Sequence, residues 1–240
     1  MTNVEQLKEL ITHADEIEEE IEGEGSKAAT KRNVERLITA ACEEGTPIKN
    51  VLDEGLIAGM DIVGDRFKKN EIYISEVLIA ARAMKMGMDF LEPEIIKAGI
   101  EPAGKCVIGT IQGDLHDIGK NIVAMMLKGA GFKVIDLGVD VKPEDFAERA
   151  ESEDVQVVGM SALLTTTMPG MEKTIKAMKD KGVSARTMIG GAPVTQDYAD
   201  RIGADGYAAD AASAVDLAKS LIAWKSRGPS RSYVNRRSNL

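Results

Sequence analysis

From Gly104 onward the sequence changes its period, and that change limits the fold more than any other feature. Before it, apolar residues recur every three or four positions over long stretches. After it, short apolar runs alternate with helical ones. Strands are predicted over 107–109, 132–137, 155–160, 185–189 and 206–209, and helices over 118–129, 143–152, 168–181, 195–202 and 211–224. Short apolar strands, each followed by a helix, predict a doubly wound five-stranded parallel sheet of flavodoxin or Rossmann type.

The preceding residues read as four helices over 4–21, 26–44, 47–68 and 75–98. Their apolar stripes recur at helical spacing, as in Val34, Leu37, Ile38 and Ala41. Ser26 and Ser75 read as N-caps, Thr46 as an N-cap with Pro47 at the first helical position, and Gly45 as a C-terminal stop. Gly55, Gly59 and Gly64 cost helix propensity but permit close approach of a neighbouring helix. Four such helices with short links form a small bundle. The expected organisation is a helical bundle over 1–98, a linker over 99–104 containing Pro102, an α/β domain over 105–226 and a basic tail over 227–240.

Charge narrows the function. A net charge of -9 argues against nonspecific nucleic-acid binding, which needs a basic face. Two cysteines, Cys42 and Cys106, suggest neither a disulfide framework nor a zinc site. No apolar run approaches the roughly 18 residues of a membrane span, and the acidic N-terminus has no signal-peptide core. The expected location is the cytoplasm.

The chain has two histidines. His13 sits in an acidic helix and reads as a surface residue. His116 lies in Gly113-Asp114-Leu115-His116-Asp117-Ile118-Gly119-Lys120-Asn121, between the first strand and its helix. In an open α/β sheet, ligands bind at that carboxyl end. Asp114, two residues earlier, can take one imidazole nitrogen and leave the other for a metal. Two more strand ends join it: Ser161-Ala162-Leu163, followed by Leu164-Thr165-Thr166-Thr167, and Gly190-Gly191. They offer small hydroxyls and glycines that leave room beside the sheet. Asp136 and Asp140 read as loop residues, and Phe67 and Tyr73, taken on composition alone, as bundle core.

Asp-x-His-x-x-Gly, Ser-x-Leu and Gly-Gly, in that order behind a helical bundle, resemble the cobalamin-binding corrinoid proteins that carry methyl groups. The chain is similar to the paired cap and cobalamin modules of cobalamin-dependent methionine synthase over about residues 27–225. The resemblance implies roles. His116 would be the lower axial ligand of cobalt, displacing the nucleotide base of the corrinoid. Asp114 and Thr167 would relay a hydrogen bond or proton to it. Gly113, Leu115, Asp117, Ile118 and Gly119 complete the ligand loop. The nucleotide tail would run past Ser161, Leu163, Thr165, Gly190 and Gly191. Phe67 and Ile74, in segments matching the cap, would cover the upper face of cobalt, with the linker as hinge.

The family chemistry implies a methyl carrier. Cobalt(I) accepts a methyl group from a donor-specific methyltransferase, giving methylcobalamin as the carried form, and a second methyltransferase passes it to tetrahydrofolate or a thiol. The implied donors are methoxylated aromatics (O-demethylase systems), methanol, methylamines and quaternary amines, in methanogenesis or acetogenesis. Implied partners are the two methyltransferases, a reductive activase for the corrinoid and a second copy in a homodimer, with no nucleic acid and no membrane. The chain itself would be a carrier subunit. The alternatives are the cobalamin subunit of an adenosylcobalamin-dependent isomerase, for which this cap is the wrong upper face, and a cobalamin-sensing regulator, which would need a DNA-binding element.

Overall fold

The computed structural model describes residues 1–15 and 24–227. Most of the acidic run at 16–24 and the tail beyond Arg227 lie outside the described residues. By contact density the chain divides into two compact units. One comprises the described residues up to Ala103 together with Ile118–Val134; the other comprises Gly104–Asp117 and the described residues from Ile135 on.

In the first unit, helix α1 (Asn3–Thr12) opens with a reciprocal cap: Thr2 Oγ1 accepts from Glu5 N at 3.1 Å, and Glu5 Oε2 accepts from Thr2 N at 2.7 Å. Helix α2 (Glu24–Glu43) contains Ser26, which is therefore not its N-cap. The helix closes where Gly45, at φ 82°, donates its N–H to Cys42 O while Thr46 N donates to Ala41 O. Only a residue at ease with positive φ closes a helix this way, so the glycine stop is borne out.

Helix α3 runs through three segments: an α-helical turn Ile48–Asn50, a π-helical stretch Val51–Ile57 and an α-helix Ala58–Lys68. Pro47, rather than Thr46, is the N-cap. The π-helical stretch has a cause in the pattern. Val51, Gly55, Gly59 and Val63 are all buried, as are Leu52, Leu56 and Met60. A four-residue spacing drifts around a helix of 3.6 residues per turn, and a wider turn absorbs the drift. Close approach explains the glycines: a Cβ would stand 2.9 Å from Leu7 Cδ2 at Gly55 and 2.7 Å from Ile11 Cβ at Gly59. Gly64 has no such neighbour, its nearest atom being Met126 Cε at 3.6 Å.

Helix α4 (Ile74–Lys97) is capped at Tyr73, not at Ser75. Glu76 accepts from Tyr73 N at 3.1 Å and from the Ser75 hydroxyl at 2.9 Å. Helix α5 (Ile118–Gly129) packs with the bundle, and a Cβ at Gly129 would meet Met60 at 3.1 Å.

The sheet has five strands in the order β2-β1-β3-β4-β5, with β1 Gly104–Thr110, β2 Phe132–Asp136, β3 Val157–Ser161, β4 Arg186–Gly190 and β5 Gly206–Tyr207. β1–β3, β3–β4 and β4–β5 pair in parallel, with Thr110 opposite Ser161 and Ser161 opposite Gly190. The doubly wound parallel fold expected from the alternation is present. Helices α6 (Pro143–Ser152), α7 (Pro169–Asp180), α8 (Gln196–Ile202) and α9 (Ala211–Arg227) complete it.

The core of this unit gathers Val107, Ile111, Phe146, Val158, Met171 and Ile189. Phe146 is fully buried, worth about 2–3 kcal/mol. Gly109 makes room for it, since a Cβ there would lie 2.7 Å from the Phe146 ring. Strand order reverses at β1, so the crevice that such sheets use for ligands opens at the carboxyl ends of β1 and β3.

Candidate functional site

Those carboxyl ends meet at one carboxylate. Asp114 is fully buried in the turn after β1. Its Oδ1 accepts from His116 N at 3.1 Å and faces His116 Nδ1 at 2.8 Å. Its Oδ2 accepts from Leu163 N at 2.8 Å, Leu164 N at 3.2 Å and the Thr167 hydroxyl at 2.9 Å. An ionised carboxylate is an acceptor only, so this set fits the charged form. Burial by itself would raise the carboxyl's pKa. The donations from Leu163 N, the His116 ring, His116 N and Thr167 outweigh it and hold Asp114 well below the usual carboxylate range.

That charge fixes the imidazole. Nδ1 must carry the proton that Asp114 accepts, which leaves the lone pair on Nε2. The His116 side chain is 53% exposed, and Nε2 has no partner among the described residues. A histidine oriented by a carboxylate on one nitrogen and open on the other is prepared as a metal ligand. Thr167 has one hydroxyl proton and two acceptors in reach, Asp114 Oδ2 and Leu164 O at 2.8 Å. The anionic acceptor is the stronger.

The surroundings suit a broad apolar ligand. Leu115 is 71%, Leu163 43% and Leu164 42% exposed. The last two donate backbone N–H groups to Asp114, and Leu115 lies between Asp114 and His116 in the chain. At the next strand end space is restricted to glycine: a Cβ on Gly191, at φ 127°, would stand 1.9 Å from Ala162 O, and one on Gly190 3.0 Å from Ala208 O. Ser161 is half-buried and Thr165 exposed. A flat macrocycle whose metal accepts one nitrogen fits these residues.

The bundle residues singled out in the sequence sit in their own unit. Phe67 is half-buried on α3. Ile74 is 46% and Tyr73 78% exposed at the start of α4. Tyr73 is therefore surface rather than core. Cys106 is buried, and burial pushes its thiol up to about 12, leaving it inert.

Two contributors to the histidine turn were not singled out in the sequence. Thr110, fully buried at the end of β1, donates its hydroxyl to His116 O at 2.8 Å. Asp140, read as a loop residue, accepts from Gly113 N at 2.7 Å and donates its own N–H to Asp114 O at 3.0 Å. Neither partner is close in sequence to Asp140. The one available signal was an aspartate in a turn, a residue type that tolerates positive φ.

Fold and turn together define a corrinoid-binding protein, and the comparisons agree. The family description "B12 binding domain" matches residues 104–216, and a second B12 binding domain family matches residues 27–92. A corrinoid protein of Desulfitobacterium hafniense (strain Y51) is 43% identical over 194 residues, 79% of this chain and 90% of that protein. Dimethylamine corrinoid protein 3 of Methanosarcina acetivorans is 44% identical over 178 residues, 73% of this chain and 84% of that one. The methanol:cobalamin methyltransferase complex of Methanosarcina barkeri superimposes with a TM-score of 0.77 at 27% identity, covering 92% of this chain and 80% of that one. The chain belongs to the corrinoid protein family: it binds cobalamin or a related corrinoid and carries methyl groups for a methyltransferase system.

Proposed function

We propose that this corrinoid protein receives its methyl group from a methylated amine, through a separate donor-specific methyltransferase, and that His116 is the lower cobalt ligand. The donor class is supported by the dimethylamine relative above and by a trimethylamine corrinoid protein of the same organism, 44% identical over 176 residues. The observation that carries the ligand assignment is the buried Asp114 carboxylate facing Nδ1 of a ring whose Nε2 is open.

When bound, the corrinoid supplies a cobalt that takes up and releases a methyl group. This chain's residues do the rest. Asp114 keeps the proton on Nδ1 and the lone pair on Nε2. Nε2, left unprotonated by that arrangement, would be the atom that holds the metal. Thr167 donates to the same carboxylate and holds it in place. The nucleotide tail would run past Ser161, Leu163, Thr165, Gly190 and Gly191. Phe67 and Ile74 cover the reactive face, and the segment over 99–104 acts as the hinge that lets a partner reach it. The second methyltransferase, the reductive activase and a homodimeric assembly complete the system.

The test is spectroscopic. Apoprotein carrying 15N-histidine and loaded with cob(II)alamin should show two-line 15N hyperfine splitting in its EPR spectrum in place of the three lines of the nucleotide base, and His116→Ala should lose the two-line splitting. Unchanged splitting in the variant overturns the ligand assignment. For the donor, the reduced loaded protein is mixed with methylamine, methanol and methoxyarene methyltransferases in turn, and the absorbance of cobalt(I) is followed. Discharge by the amine enzymes is expected, and discharge only by another class refutes the donor.

A further inference from the structure

The hydrogen bond that orients the His116 ring goes to Asp114. Those that hold the backbone of the same turn go to Asp114 and to residues beyond it. Thr110 Oγ1 donates to His116 O at 2.8 Å, while His116 N donates to Asp114 Oδ1 at 3.1 Å. The ligand residue is thus pinned at both ends of its own peptide frame. On the other side of the turn, the segment after β2 is laced to it. Asp140 Oδ1 accepts from Gly113 N at 2.7 Å, Asp140 N donates to Asp114 O at 3.0 Å, and Val141 N donates to Thr110 O at 3.0 Å.

Asp140 does this from the left-handed backbone region. Its φ is 54°, one of three non-glycine residues with positive φ among the described residues. A side chain held in the left-handed region persists only when its surroundings over-determine it, and such residues gather at functional sites. Here that residue grips the turn that presents the candidate cobalt ligand.

We propose that Asp140 and Thr110 are positioning residues for His116, and that Asp140 sets how firmly the turn is held in the ligand-presenting conformation. The inference rests on the assignment of His116 above. A preformed turn favours coordination because the loop entropy is lost on folding rather than on binding. Without the Asp140 acceptor the turn opens more often, and a larger share of the loaded protein leaves Nε2 off the metal.

Asp140→Gly separates the two contributions, because glycine adopts φ 54° without strain but lacks the acceptor. Asp140→Asn retains an oxygen that can accept from Gly113. The first measurement needs no cofactor: amide hydrogen exchange of Gly113 and His116 in the apoprotein by NMR. Loss of one charge-assisted hydrogen bond should speed exchange at Gly113 about tenfold in Asp140→Gly, against about twofold or less in Asp140→Asn. The second is the histidine-coordinated fraction in the EPR spectrum of the cob(II)alamin-loaded full chain. It should fall in Asp140→Gly and Thr110→Val, and recover in Asp140→Asn and Thr110→Ser. Unchanged Gly113 exchange and an unchanged coordinated fraction in a folded Asp140→Gly protein overturn the proposal. If that variant fails to fold, Thr110→Val against Thr110→Ser decides by the same fraction. If 15N-histidine-labelled wild type itself shows no 15N splitting, it is the His116 assignment that fails, while the exchange comparison still judges the turn.

Discussion

The turn after β1 and the first turn of α4 both carry residues expected to face the corrinoid, yet they are built by different physics. In the first, position is specified bond by bond. Asp114 is buried and collects donors from His116, Leu163, Leu164 and Thr167. In the second, Ile74 is an apolar side chain held out into solvent at 46% exposure. Hydrogen bonds are directional and costly to leave unmade when buried, so the strand-end turn can hold one atom in one place. Apolar contact is non-directional and grows with area, so the start of α4 can cover a surface without fixing a geometry. A ligand atom demands the first kind of construction, and a movable cover tolerates the second.

If that contrast holds, substitution should be severe at the strand ends and mild on α4. The largest effect is expected at Gly191. A methyl group there overlaps Ala162 O, at 1.9 Å, in a backbone conformation that side chains rarely adopt. Combining overpacking and strain, Gly191→Ala should destabilise by about 4 kcal/mol. Urea unfolding of the apoprotein measures it, and a loss under about 1 kcal/mol would show that this strand end yields as easily as a surface.

Asp114→Asn comes next, at about 3 kcal/mol, because the new amide must point an N–H at donors that had a carboxylate. Its sign with pH is fixed. Asp114 titrates lower in the fold than its unfolded value of about 3.9. Its contribution is therefore complete well above that value and drains away as the pH falls through and below it. Wild type should lose stability between about pH 5 and pH 2, and Asp114→Asn should lose less over the same window. Parallel acid-unfolding curves would mean that the carboxylate is not the charged hub drawn here.

The contrast also separates what could be read from the sequence from what could not. The alternation after Gly104 gave all five strands, because short buried strands leave apolar runs. Their ends slipped by up to three residues, as at β1, which starts at Gly104 rather than at 107. The Asp114–His116 pair was legible because its members lie two residues apart, and Thr167 only through the family pattern. The donations from Leu163 and Leu164 were hidden, since a backbone N–H belongs to every residue type but proline. Asp140 was hidden because its partner Gly113 is 27 residues away. Ser26 and Ser75 misplaced two helix starts because serine serves equally as a cap and within a first turn. The π-helical stretch of α3 was missed because four-residue apolar spacing looks, over short lengths, like an ordinary helix.

The smallest structural effect is expected on α4, and it tests the other half of the contrast. Ile74 lies at the first position of the helix and is 46% exposed, with the cap interactions made by Glu76, Tyr73 N and Ser75 instead. Truncation to alanine removes little buried surface, so Ile74→Ala should change apoprotein stability by no more than about 0.5 kcal/mol. If Ile74 shields the reactive face, the same variant should oxidise faster once loaded and reduced, read as the decay of cobalt(I) absorbance in air. The nitrogen splitting from the histidine side should stay as in wild type, because the hydrogen bonds that hold the turn after β1 come from Asp114, Thr110, Thr167 and Asp140. A faster decay with unchanged coordination is the signature of a cover. A change in coordination instead would mean that α4 helps to place the ligand, and the division of labour between directional and non-directional construction would have to be redrawn.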